Sequence, residues 1–173
     1  MTTTTHHNVE SFLSFRIGAE IFAANVKNVL NILEMTKITK VPKSPDYMRG
    51  VINLRGIVLP VIDSRIKFGI SNTEITTNTC IIVLELHTSG EPIMIGTIVD
   101  AVKEVLEIDV KDIQPPPSIG TNFRSDYLKG MTQSDDGFIM ILDAEKVFGT
   151  DEIVDMQNLT KDAGKSAIDE VKE

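Results

Sequence analysis

Hydrophobic positions along the chain fall into short runs that alternate with polar residues more often than they recur at helical spacing, and turn-forming residues separate them. FLSFRI and EIFAA flank Gly18-Ala19 and predict a hairpin, the first run with alternating burial. TCIIVLEL and EPIMIGTIV predict a second strand pair, joined by a Ser89-Gly90 turn, and QPPP stops whatever precedes it. NVKNVLNILE is mixed. Val26, Val29, Leu30 and Leu33 have helical spacing but the run is short and β-branched, which predicts one or two helical turns feeding a strand. In SPDYMRG, Ser44 as cap and Pro45 at the first helical position predict a short helix. An amphipathic helix candidate, DEIVDMQNL, follows Gly149, and TKDAGKSAIDEVKE is expected to fray.

These runs are not independent. YMRGVINLRGIVLPVIDSRIKFG (47 to 69) aligns without a gap to YLKGMTQSDDGFIMILDAEKVFG (127 to 149), at an offset of 80. Tyr47/Tyr127, Gly50/Gly130, Asp63/Asp143, Phe68/Phe148 and Gly69/Gly149 coincide. Upstream, VKNVLNILE (26 to 34) matches VDAVKEVLE (99 to 107) in the same order, at an offset of 73. Each copy predicts a hairpin and a closing helix, with Asp63 or Asp143 as N-cap and Gly69 or Gly149 at the C-terminal end. Two similar β-rich subdomains follow, packed together because neither half makes a sufficient core alone. The expected organisation is a tail over 1–10, a paired β-subdomain unit over 11–150, and a C-terminal helix with an acidic tail over 151–173.

The repeat isolates one stretch. Where the second copy has the acidic turn TQSDDGFIM, the first has INLRGIVLP, a turn set among aliphatic residues with an arginine at its tip. Asn53, Leu54, Arg55 and Gly56 form the predicted turn, because Gly56 accepts positive φ. Pro60 then predicts an edge strand or a bulge. An apolar tip carrying one rigid guanidinium has the make-up of an interaction anchor, as against a solvated turn arginine.

Charge sharpens this picture. The chain carries −8 overall, which disfavours nucleic acid and anionic lipid as main partners. Between Thr36 and Gly69, however, Lys37, Lys40, Lys43, Arg49, Arg55, Arg65 and Lys67 stand against Asp46 and Asp63, a local +5 that leaves −13 elsewhere. Such a patch fits an acidic protein surface, or is an ordinary solvated face. No run of 18 apolar residues is present, and MTTTTHHNVE lacks the features of a secretory signal. With a single cysteine, Cys80, this predicts a cytoplasmic protein with no membrane insertion.

Catalytic chemistry finds little support. Asp135-Asp136 precede Gly137, which is turn composition. His6 and His7 lie in a Thr-rich tail far in sequence from His87, which is not metal-ligand spacing, and neither a phosphate-binding glycine loop nor a serine elbow occurs. The expectation is a protein that is not an enzyme and uses no cofactor. The alternative is a small-ligand-binding regulatory β-barrel, with a hydrolase a distant third.

The segments MRGVINLRGIVLPVIDSRIKFG, GTIVDAVKEVLEI and YLKGM…FIMILDAEKVF resemble the CheW family of bacterial chemotaxis coupling proteins, over about Phe12 to Phe148. The resemblance implies a mainly β fold of two intertwined SH3-like five-stranded barrels with a few short helices and a C-terminal helix. It also implies a non-enzymatic adaptor joining chemoreceptor tips (methyl-accepting chemotaxis proteins) to the CheW-like regulatory domain of the histidine kinase CheA, recruited to membrane-associated arrays. In such relatives the positions matching Val29, Asn31, Gly50 and Arg55 lie on or near the partner-binding surface, and the shared motif adds Asn53, Leu54 and Gly56. Relatives often have glutamate where this chain has Asn31. About two dozen residues follow Gly149, so an adaptor without a fused receiver domain is expected.

Overall fold

In a computed structural model of the chain, residues 8–70, 74–87, 91–116, 127–135 and 137–147 are described. Ten strands form two five-stranded sheets. β1 (Val9–Ile17) and β2 (Glu20–Asn25) make the first hairpin, and β3 (Val29–Glu34) follows a short 3-10 turn over Val26–Asn28. β4 (Met48–Leu54) and β5 (Ile57–Asp63) form the second hairpin, closed by the one-turn helix α1 (Ser64–Lys67). β6 (Cys80–Leu86), β7 (Ile93–Val99) and β8 (Ala101–Asp109) come next, then β9 (Leu128–Ser134), β10 (Gly137–Leu142) and α2 (Ala144–Val147).

The sheet orders are β8-β1-β2-β10-β9 and β3-β6-β7-β5-β4. The chain passes from the first sheet to the second after β2 and returns after β7, so the halves are intertwined. Each order maps onto the other, β1 on β6, β2 on β7, β8 on β3, β9 on β4 and β10 on β5. This is the duplication expected from the repeat, and it extends to backbone detail. Asp63 N–H donates to the Tyr47 carbonyl and Asp143 N–H to the Tyr127 carbonyl, both at 2.8 Å. Thr39 bridges Val51 as Gln114 bridges Met131. These bridges curl each sheet toward an SH3-like barrel, although the end strands share no ladder among the described residues.

Core composition explains why the halves stay together. Ile52, Leu59, Val61, Ile81, Val83 and Ile98 fill one barrel, and Phe12, Ala23, Ile108, Ile139 and Ile141 the other. The largest cluster draws on both sheets and includes Phe15, Ile17, Phe22, Ile62, Phe68 and Leu86. At about 1.5–3 kcal/mol for each fully buried large aliphatic or aromatic side chain, this shared layer outweighs either barrel's own core. Phe68, beyond α1, stacks on Phe22 of β2 with ring centroids 5.3 Å apart, and meets Tyr127 edge-on at 6.1 Å.

Several local expectations hold. The 26–34 stretch is one 3-10 turn feeding a strand, Asp63 accepts the Arg65 N–H at 3.0 Å as N-cap, and Gly69 takes φ +72°. Others need correction. Ser44-Pro45 starts no helix; Met48 N–H closes a turn onto the Pro45 carbonyl and the backbone then enters β4, whose ladder claims its hydrogen bonds. β5 is not an edge strand, since it lies between β7 and β4. Pro60 is tolerated because the parallel ladder to β7 begins only at Val61, so at Pro60 the strand is paired on one side. β1 begins at Val9, inside the segment read as tail, because Val9 pairs with Asp109. The Ser89-Gly90 turn, Gly149 and the C-terminal helix lie outside the described residues.

Candidate functional site

The β4–β5 hairpin ends in a two-residue turn, Arg55-Gly56, with φ of +53° and +85°. Two successive left-handed residues are the signature of a type I′ turn, whose twist matches that of the strands it joins. Asn-Gly is the usual choice, and arginine carries a steric cost of about 1 kcal/mol or more in this conformation. Asn53 secures the turn from outside, its Oδ1 accepting the Gly56 N–H at 2.8 Å. Leu54 is half-buried and packs against the core of its barrel, whereas Ile57 opposite it is half exposed. Arg55 is exposed, and among the described residues its guanidinium makes no hydrogen bond or ion pair.

The basic patch around this tip divides in two. Arg49 lies 3.8 Å from Asp63, Arg65 is paired with Asp100, and the Lys67 ammonium sits 4.5 Å over the Tyr47 ring. These three serve the fold. Lys37, Lys40, Lys43 and Arg55 are exposed with no ion pair among the described residues. The antiparallel bridge of Thr39 to Val51 brings the Lys37 to Lys40 backbone alongside β4. The counterpart hairpin tip has Ser134 and Asp135 where this one has Leu54 and Arg55, so the two tips differ in charge and polarity.

Val29 and Asn31 lie on β3, at the far end of the same sheet from β4. Val29 packs against the shared core; Asn31 is half-buried, with its Oδ1 accepting the Ile32 N–H at 2.8 Å, and no hydrogen bond joins it to Arg55. Among the described residues β3 pairs only with β6, which leaves its other edge open, and Leu30 and Ile32 are exposed on β3 at 47% and 43%. The sequence marks Leu30 only as part of a helical spacing and does not mark Ile32, although apolar residues on both faces of VLNILE are a visible signal. Gly50 differs from the others. It is buried, with φ +144°, and a β-carbon there would overlap the Thr39 carbonyl oxygen. Gly130 stands in the same relation to the Gln114 carbonyl. Of the predicted site residues, Asn53, Leu54, Arg55 and Gly56 thus form one tip, Val29 and Asn31 a separate edge, and Gly50 a close backbone contact between β4 and Thr39.

A cavity lies between the sheets, lined by Phe15, Ser64, Phe68, Thr97, Leu142 and Val147 among others. Its volume, about 20 Å³, admits one water, far below the several hundred Å³ typical of small-ligand sites. Among the described residues no cluster of His, Cys, Asp and Glu could hold a metal ion, and no helix is long and apolar enough to cross a membrane.

Fold and tip together define a class: a two-barrel β scaffold with an apolar, arginine-tipped hairpin and, among the described residues, an unpaired strand edge. Comparison with known proteins sharpens the assignment. The CheW-like domain family profile matches residues 11–164. The chain is 34% identical over 140 residues to the chemotaxis protein CheW of Rhizobium meliloti, covering 81% of this chain and 88% of that protein. It is 30% identical to that of Klebsiella aerogenes, covering 88% and 89%. The scaffolding protein TtCheW from Thermoanaerobacter tengcongensis superposes with a TM-score of 0.75 at 31% identity, over 88% of this chain and 96% of that one. The chain belongs to the CheW family of chemotaxis scaffold proteins.

Proposed function

We propose that this protein is a non-enzymatic adaptor that couples chemoreceptors to the histidine kinase CheA within signalling arrays at the cytoplasmic face of the membrane. The receptor's helical tip docks against the first-copy hairpin, with Arg55 as anchor and Leu54, framed by Asn53 and Gly56, as the apolar contact. The open β3 edge, bearing Val29 and Asn31 beside Leu30 and Ile32, extends that surface, and Gly50 supports it by letting the Thr39 strand lie against β4. The CheW-like domain of the kinase takes another apolar edge, so that receptor state biases kinase activity through shared contacts. Each contact is small, of about micromolar strength, with array avidity supplying the rest.

The observation that carries this reading is the state of Arg55. An exposed guanidinium with no partner among the described residues, held in an unfavourable backbone conformation at an apolar tip, adds nothing visible to the fold and offers a partner a rigid fork of donors. The cavity between the sheets is water-sized and gives a small ligand no room at that place. The test is titration of the purified protein with a receptor-tip fragment and, separately, with the kinase regulatory domain. Saturable binding of both supports the adaptor. Binding of neither, with thermal stabilisation by a small molecule instead, would support the ligand-binding barrel.

A further inference from the structure

Helix α1 has one turn, yet it and its C-cap Phe68 reach across to the other barrel in three ways. Arg65 donates from Nε at 3.0 Å and from Nη2 at 2.7 Å to Oδ2 of Asp100, the residue between β7 and β8 where the chain returns to the first sheet. The same Oδ2 accepts the Gly18 N–H at 2.6 Å from the β1–β2 turn, and the Asp100 N–H donates to the Arg16 carbonyl at 2.9 Å. Lys67 lies 5.7 Å over the Tyr127 ring, and Phe68 stacks on Phe22. The ion pair is largely out of water, with side-chain exposures of 17% for Arg65 and 6% for Asp100.

The repeat supplies an internal control. At the position of Arg65 in the second copy stands Glu145 on α2, which reaches the other barrel through one exposed contact, its Oε1 accepting the His87 N–H at 3.3 Å. His87 follows β6 as Gly18 follows β1, so the two contacts are counterparts. One is a charge-assisted node of several short bonds; the other, among the described residues, is a single long one beside the apolar packing of Ala144 and Val147. Desolvation offsets much of the attraction within a buried ion pair, so its net contribution to stability is small.

We propose that α1 is a clasp that fixes the angle between the two barrels, with Arg65 as the positioning residue, and that the α2 side is the pliant one. The barrels then hinge about the α1 node and separate on the α2 side. No partner takes part in this arrangement, so it holds or fails independently of the adaptor reading.

Spin labels at Glu34→Cys on β3 and Glu107→Cys on β8, both exposed, report the angle by pulsed electron resonance in a Cys80→Ser background. The parent should give one narrow distance distribution. Arg65→Gln should broaden it by about twofold, Arg65→Lys by less, and Glu145→Gln should leave it unchanged. Should Arg65→Gln fail to fold, Asp100→Asn decides, because it keeps an acceptor for the Gly18 N–H and removes only the charge that Arg65 meets. A purely structural role would lower the melting temperature with no change in width. An unchanged distribution in folded Arg65→Gln, or in Asp100→Asn, would overturn the proposal.

Discussion

Gly50 lies so close to the carbonyl of Thr39 that no side chain fits between them, and the same pair of backbones is joined by the Thr39 and Val51 hydrogen bonds at 2.9 and 2.8 Å. A β-carbon at position 50 would displace backbone, and φ of +144° excludes L-residues in any case. Gly50→Ala should therefore destabilise the protein by about 3 kcal/mol or more, while Gly56→Ala, at φ +85° with open space around it, should cost only about 1 kcal/mol. Urea denaturation of the two variants checks this, and comparable losses would contradict it. Weakened partner binding in a Gly50 variant would then report a displaced Thr39 strand and not a lost contact.

Removing the Asp100 carboxylate leaves the Arg65 guanidinium largely buried without its counter-ion, and the Gly18 N–H without its acceptor. Asp100→Ala should cost about 3 kcal/mol or more, whereas a surface carboxylate such as Glu107→Ala should change stability by less than about 0.5 kcal/mol. Asp100→Asn should fall between them, because the amide oxygen still accepts from Gly18. Chemical denaturation of the three variants ranks them, and an Asp100→Ala loss no larger than that of Glu107→Ala would show that the node carries no stability.

The open edge of β3 makes a separate prediction. Leu30 and Ile32 are exposed and touch little of the core, so Leu30→Lys and Ile32→Lys should leave stability within about 0.5 kcal/mol. If a partner lies along this edge, each should weaken its binding by about tenfold, since a lysine there must be desolvated to dock. Val105→Lys on the counterpart strand β8 is equally exposed and serves as the control. Equal affinities for all three variants and the parent would remove β3 from the contact surface.

How far the sequence anticipates this molecule depends on whether a feature is local. The hairpins at Gly18-Ala19 and at Arg55-Gly56 are written in contiguous residues, and the duplication in two collinear blocks, so both are legible without a structure. Ser44-Pro45 misleads because a helix-start signal is weak and the demand of β4 for Met48 onward is tertiary. Pro60 misleads in the same way, since nothing local tells that the β7 ladder starts one residue later. The Arg65–Asp100 node spans 35 residues and two sheets, and no spacing rule encodes it. At the tip, sequence assigned positive φ to Gly56 alone. That Arg55 shares it follows from the two-residue connection, which only the register of Leu54 against Ile57 establishes.

Arg55 itself offers the sharpest test, because its backbone and its side chain serve different ends. The left-handed conformation at φ +53° penalises arginine and alanine alike, whereas asparagine is favoured there and precedes glycine in the commonest turn of this type. Arg55→Ala should leave stability within about 0.5 kcal/mol, and Arg55→Asn should raise it by about 0.5–1 kcal/mol. Both remove the guanidinium, so both should weaken binding of a receptor-tip fragment by about 2 kcal/mol, roughly thirtyfold, with Arg55→Lys partly restored. Melting curves and titrations on the same four proteins separate the two effects. A gain in stability together with a loss of affinity in Arg55→Asn would mean that the chain keeps a strained arginine for its partner. Unchanged affinity in a stabilised Arg55→Asn would return Arg55 to a solvated turn residue, and the contact would have to be sought along β3.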